Sequence, residues 1–146
     1  MIKGLDELVK SLKGLDKQFS HADFQKANVK AAEPVITKAH RIAPVGLTGD
    51  YADSIGLVKL GKKSTQLGGV NVGPRRGGGF EGFHGHLIEF GTKQRRTKTT
   101  GANRGVMPKN PVMTRSWEAT KNEALGIVTK ELQKKAEKYL KDTVPK

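Results

Sequence analysis

The chain contains no cysteine, which excludes a disulfide framework, a thiolate metal site and a cysteine nucleophile, and agrees with a reducing compartment. Aromatic residues are scarce at 5%. None lies between Phe90 and Trp117, so that stretch has no stacking platform for the bases of a single-stranded nucleic acid. No apolar run approaches the roughly 20 residues that span a bilayer. The N-terminal Met1-Ile2-Lys3-Gly4-Leu5-Asp6-Glu7 has no apolar core of signal-peptide length, so a chain made in the cytoplasm with no membrane partner is expected. Gly77-Gly78-Gly79, after Gly73-Pro74, is followed by neither Gly-Lys-Ser nor Gly-Lys-Thr and does not form a phosphate-cradling loop. The scattered Ser, Thr, His and acidic residues carry no local nucleophile signature, so neither an enzyme nor a cofactor is expected.

Acidic residues are the other shortage. There are 14 against 27 Lys and Arg, a formal charge of +13 and a sequence pI of about 10.1. Such a molecule is drawn to polyanions or to an acidic protein, and charge alone does not choose between them. At 146 residues the chain suits a single domain over 1–146. Only 35% of residues are hydrophobic, 18 are glycine, and mean hydropathy is -0.55. This composition predicts a modest core with long exposed loops, part of whose apolar surface is buried when copies of the chain associate.

Along the chain, Leu5, Leu8, Val9, Leu12 and Leu15 recur at helical spacing and predict an amphipathic helix over 1–19. A second helix is expected over 20–43, capped by Ser20 or Asp23 and burying Phe24, Ala27, Ala31, Val35, Ala39 and Ile42. Pro34 inside that pattern predicts a kink or a break. Residues 44–92 form the β-rich core. Ser54 to Leu60 and Gly69 to Val72 read as an antiparallel hairpin, and Arg75 to Gly79 as a mobile basic loop. Phe83 to Phe90 favours a short helix ended by Gly91. Residues 93–109 form a basic flexible loop without apolar period. Over 110–142, Val112, Met113, Trp117, Ala124, Val128 and Leu132 mark a long helix, with Leu125, Ala136, Tyr139 and Leu140 widening the stripe. Asn110 is suited to cap it and Pro111 is tolerated in its first turn.

Three segments in this order carry a family resemblance. They are Ala43-Pro44-Val45-Gly46-Leu47-Thr48-Gly49-Asp50-Tyr51-Ala52-Asp53-Ser54-Ile55, then His86-Leu87-Ile88-Glu89-Phe90-Gly91-Thr92, then Met107-Pro108-Lys109-Asn110-Pro111-Val112-Met113. The chain resembles the neck and tail-completion family of long-tailed double-stranded DNA phages, also known as head-tail joining or minor tail proteins. Pro44, Thr48, Gly49, Ser54, Glu89, Phe90, Gly91 and Thr92 stand at the positions that match the family pattern. The resemblance implies an α+β subunit in which a small antiparallel sheet packs against a long C-terminal helix. It further implies a homo-oligomeric ring, often hexameric, in the neck or tail of the virion. Head-closure or connector and tail-tube proteins would be its partners.

In Glu89-Phe90-Gly91-Thr92, Phe90 reads as a core anchor and Gly91 as a backbone conformation closed to other residues. The Glu89 carboxylate could pair with a basic group of the same or a neighbouring subunit. Lys93, Arg95, Arg96, Lys98, Arg104 and Lys109 make the second charged feature, with no acidic residue among them. They could be a solvated segment, the lining of a double-stranded DNA channel, or a dock for an acidic protein that orders the loop on binding. Arg75 and Arg76 form a smaller basic loop. His84, His86 and Glu89 are a sparse set of metal ligands whose spacing matches no established site, so no metal is expected. His21 and His40 read as surface groups, while Trp117 and Tyr139 suit either the core or a subunit interface. A competing reading is a monomeric or dimeric protein that binds nucleic acid without sequence specificity.

Overall fold

The computed structural model describes residues 14, 16–63 and 68–143. The helix expected over 1–19 lies outside the described residues, apart from a 3-10 turn at Asp16–Gln18. Helix α1 follows, His21–Ile42. It starts where a capping box closes: the Ser20 hydroxyl accepts from the Asp23 N–H at 3.3 Å, and the Asp23 carboxylate accepts from the Ser20 N–H at 2.9 Å. Its inner face is built of small residues, with Ala27, Ala31, Ala32, Val35 and Ala39 buried.

Of the kink or break expected at Pro34, the break does not occur, because α1 runs through the proline as one 22-residue element. Buried Ala31, Ala32 and Val35 flank the proline on both sides. Packing of that face holds the turn together despite the missing backbone donor.

Helix α2, Asp50–Ser54, leads into β1, Ile55–Lys59, which pairs antiparallel with β2, Val70–Pro74. Ile55 faces Pro74, Leu57 faces Val72 and Lys59 faces Val70, the hairpin that the sequence predicts. The next segment corrects an expectation. Arg76–Gly77 forms β3 and pairs with β4, Phe80–Glu81, so Arg75 to Gly79 is not an irregular loop. Gly78 and Gly79 have φ of 60° and 88°, the positive pair that a type I′ two-residue hairpin turn requires. The same freedom that argues against order in a glycine run is what this turn needs.

A 3-10 turn at Gly82–His84 continues into α3, Gly85–Phe90, and the long helix α4 spans Val112–Thr143. Helices α1 and α4 lie antiparallel. Ala39 and Val112 share one cluster with Ala43, Ile55 and Ile88, Ala31 and Val35 meet Ala124 in another, and Asp23 pairs with Lys135 beyond them. On α4 the buried residues are Val112, Ser116, Thr120 and Ala124, one every four positions and therefore a single stripe. The two buried hydroxyls do not go unpaired: Ser116 Oγ donates to Val112 O and Thr120 Oγ1 to Ser116 O, each at 2.7 Å. The fold is α+β, two small antiparallel hairpins set on a helix pair.

Candidate functional site

The segment from Ile88 to Thr92 ties three parts of the molecule together. Ile88 is buried, and its carbonyl accepts from the Asn110 N–H at 2.7 Å. The Glu89 carboxylate accepts from the N–H groups of Met113 and Thr114, each at 3.0 Å, and from the Thr114 hydroxyl at 2.7 Å. A carboxylate thus satisfies two of the unpaired donors in the first turn of α4, where the helix dipole favours negative charge. This is the role that sequence reasoning missed. Within the described residues of one subunit Glu89 meets two backbone N–H groups and a hydroxyl and joins no ion pair, and it caps a helix that begins more than twenty residues later. Asn110, the expected cap, accepts instead from Arg115 Nη1 at 3.2 Å.

Gly91 turns the chain with φ +73°, and a Cβ there would lie 2.8 Å from Met107 O and 2.9 Å from Lys109 N. Both backbone conformation and space therefore demand glycine. Phe90, expected as a core anchor, is 78% exposed. Ile88 fills the interior in its place, because the turn of α3 that aims Glu89 at α4 carries position 90 outward.

Thr92 opens a narrow ribbon. Its N–H donates to Met107 O at 2.9 Å, and its hydroxyl accepts from the Met107 N–H at 3.0 Å. Further out, Arg95 N–H donates to Gly105 O at 3.1 Å, Arg104 N–H to Arg95 O at 2.7 Å and Thr97 N–H to Ala102 O at 3.0 Å. Arg96 and Asn103 form a bridge. The connection over 93–109 thus carries its own backbone bonds: the outgoing and returning segments bond to each other, and the tip closes through Gly101 N–H to Thr97 O at 3.0 Å. Lys93, Arg95, Arg96, Lys98, Arg104 and Lys109 are all exposed. Among the described residues none of these six side chains takes part in an ion pair.

The smaller basic pair divides. Arg75 is committed to the fold: its guanidinium lies 3.6 Å from the centroid of the Phe80 ring, and Nε donates to Ser54 O at 3.1 Å. Arg76 is exposed. Beside it a cleft of about 370 Å³ is lined by Tyr51, Phe83, His86, Glu89, Phe90 and Met113 among others. The Tyr51 hydroxyl is buried and has no hydrogen-bond partner among the described residues. Burial first, and the Glu89 charge second, push its pKa up to about 12.

Ordered along the chain, the helix end, α2, the β1–β2 hairpin and the Glu89–Thr92 knot form one continuous frame, and a family model matches residues 6–91, more than half of the chain. That model is described as "Bacteriophage HK97-gp10, putative tail-component". The chain belongs to this family of phage tail components. No curated protein and no solved structure gives a match. A tail component is a structural part of the virion, and among the described residues of this one no helix is long and apolar enough to cross a membrane.

Within the tail component, Ser54 is fully buried and donates to Tyr51 O at 2.7 Å. Gly49 opens α2 with φ 74°. Pro44 and Thr48 are exposed, on a connection whose Val45 and Leu47 are exposed as well. Trp117 is 46% exposed on α4, whereas Tyr139 is half-buried, its hydroxyl 2.5 Å from where a Cβ on Gly14 would stand. His84 lies against Phe83 with ring centroids 3.8 Å apart, and His86 Nδ1 is 3.0 Å from Phe83 O. Among the described residues no group of three or more His, Cys, Asp or Glu side chains gathers as a metal site would.

Proposed function

We propose that this tail component assembles with copies of itself into a ring at the neck or tail terminus and helps join tail to head. It would act by shape and charge and catalyse no reaction. The observation that carries this reading is apolar surface left uncovered where the ribbon leaves the body. Phe90 is 78% and Val106 62% exposed, and they flank the Thr92–Met107 pair at the ribbon base. Large side chains so exposed on a chain with a small-residue core mark a surface that a neighbour covers. A head-to-tail contact of this kind, repeated with closure, gives a ring. Six copies is the number that the family resemblance suggests. Head-closure or connector and tail-tube proteins are the partners on either side, and the basic ribbon would face the DNA channel or an acidic partner.

Light scattering coupled to size exclusion, at several protein and salt concentrations, tests the ring, and virions built without the protein test the joint. A protein that stays monomeric throughout, with infectious particles made in its absence, would refute the proposal. The second reading, a plain nucleic-acid binder acting as monomer or dimer, draws on the six exposed cations from Lys93 to Lys109, which join no ion pair among the described residues. Such a binder loses orders of magnitude in affinity over a few-fold rise in salt and shows no larger assembly.

A further inference from the structure

We propose that the ribbon from Thr92 to Met107 is a phosphate grip for duplex DNA, centred on Arg95 and Arg104. This rests on reading the ribbon as the partner-facing finger of the tail component. The Arg104 N–H donates to Arg95 O, while the Arg95 N–H reaches Gly105 O and not Arg104 O. Two residues of the returning strand therefore oppose one of the outgoing strand, a bulge in which Gly105 takes φ +70°. This sets the two arginines as cross-strand neighbours on one side of the ribbon. Like charges directly opposed destabilise a strand pair. No acidic residue occurs from Lys93 to Lys109, and among the described residues no ion pair reaches either guanidinium. An anion bound between the two relieves the repulsion that the free ribbon must carry.

Beyond the base at Val106, the composition of the ribbon separates nucleic acid from an acidic protein. From Lys93 to Gly105 every residue but Ala102 is polar, charged or glycine, and none is aromatic. Protein interfaces draw their affinity from a few desolvated aromatic or apolar anchors, which this stretch does not offer. Phosphate contacts need none, and guanidinium groups match phosphate oxygens in a bidentate fork. The shape suits as well. A two-stranded ribbon fits the major groove, and the outgoing arm, Thr92 to Thr97, bonds to the returning arm, Ala102 to Met107, from root to tip. Contacts to phosphates carry no sequence information, so the grip is indifferent to the sequence that passes it.

The test compares the full chain with R95A/R104A and with K62A/K63A, which removes the same charge from an exposed turn. Each is titrated with a labelled mixed-sequence duplex between about 50 and 200 mM salt. The inference expects R95A/R104A to bind about 10- to 100-fold more weakly at the low-salt end, and its salt slope to fall by about 2. The turn control should change affinity by less than about 3-fold, since separated surface charges are screened. The thermal midpoint of R95A/R104A should not drop, and R95K/R104K should recover part of the binding. Equal losses in the two double variants, or an unchanged slope in R95A/R104A, would overturn the grip. So would polyglutamate competing as well as duplex at equal charge, an outcome that assigns the ribbon to an acidic protein. Light scattering on the same samples keeps the two readings apart: rings without DNA binding defeat only the grip, and DNA binding without rings defeats only the assembly.

Discussion

Replacing Glu89 by Gln should unseat the start of α4 without altering the side chain's shape. The carboxylate takes three hydrogen bonds, from Met113 N–H, Thr114 N–H and the Thr114 hydroxyl. A carboxamide keeps one acceptor oxygen, turns an NH₂ toward a backbone donor and removes the charge that complements the helix dipole. Loss of a cap costs about 0.5–2 kcal/mol, and the charge–dipole part about 0.3–1 kcal/mol. We therefore expect E89Q to lose about 1–2 kcal/mol and E89A slightly more. For a chain of this size each kcal/mol moves Tm by roughly 2–4 °C, so E89Q should melt lower by roughly 2–8 °C. Hydrogen exchange localises the effect: the amides of Met113 and Thr114 should lose protection while those around Thr120 keep theirs. The Tyr51 phenol supplies an independent readout. Its pKa should fall from about 12 toward the ordinary value but not reach it, because burial is the larger cause and survives the substitution. An E89Q protein that melts within a degree of wild type, with Met113 and Thr114 amides still protected, would refute the cap.

Acid should weaken the α1–α4 pairing. Lys135 first, and Ser20 second, hold the Asp23 carboxyl at about 2 against an ordinary 3.8, so its contribution is complete above about pH 4 and is lost as pH falls toward 2. Solvent access limits this to about 1 kcal/mol, and urea melts at stepped pH should show the acid-side drop shrink in K135A. G91A should cost about 1–3 kcal/mol, because an alanine at φ +73° also meets Met107 O, and denaturant titration measures it. F90S should change monomer stability by less than about 0.5 kcal/mol yet abolish the higher oligomer in light scattering. An F90S protein that assembles normally removes Phe90 from the interface.

Where neighbours in sequence decide structure, the sequence was readable. Ser20 and Asp23 announce the start of α1, Gly91 the end of α3, and the two short runs Ser54 to Leu60 and Gly69 to Val72 the β1–β2 hairpin. The sequence misleads where partners are distant or hydrophobicity is a poor guide to burial. The buried stripe of α4 passes through Ser116 and Thr120, which apolar periodicity skips, while Trp117 and Leu125 on the expected stripe remain 46% and 59% exposed. Hydroxyls that bond the preceding turn need no outside partner, so a helix can bury them without leaving a polar group unpaired. Of the candidate site, the cationic residues and the Glu-Phe-Gly-Thr block were legible. The cap by Glu89 was not, because its acceptors and donors lie in different elements, and neither was the outward aim of Phe90. Most of the bonds across the ribbon join backbone atoms, which leave no trace in side-chain pattern.

The knot at residues 88–92 also gives the molecule a load path. One clasp, at Thr92 and Met107, closes the root of the ribbon, and three residues earlier a carboxylate holds the end of the longest rod in the molecule. A cargo tugging on the ribbon tip therefore delivers its force, through three residues of backbone, to the first turn of α4 rather than dissipating it in a slack tether.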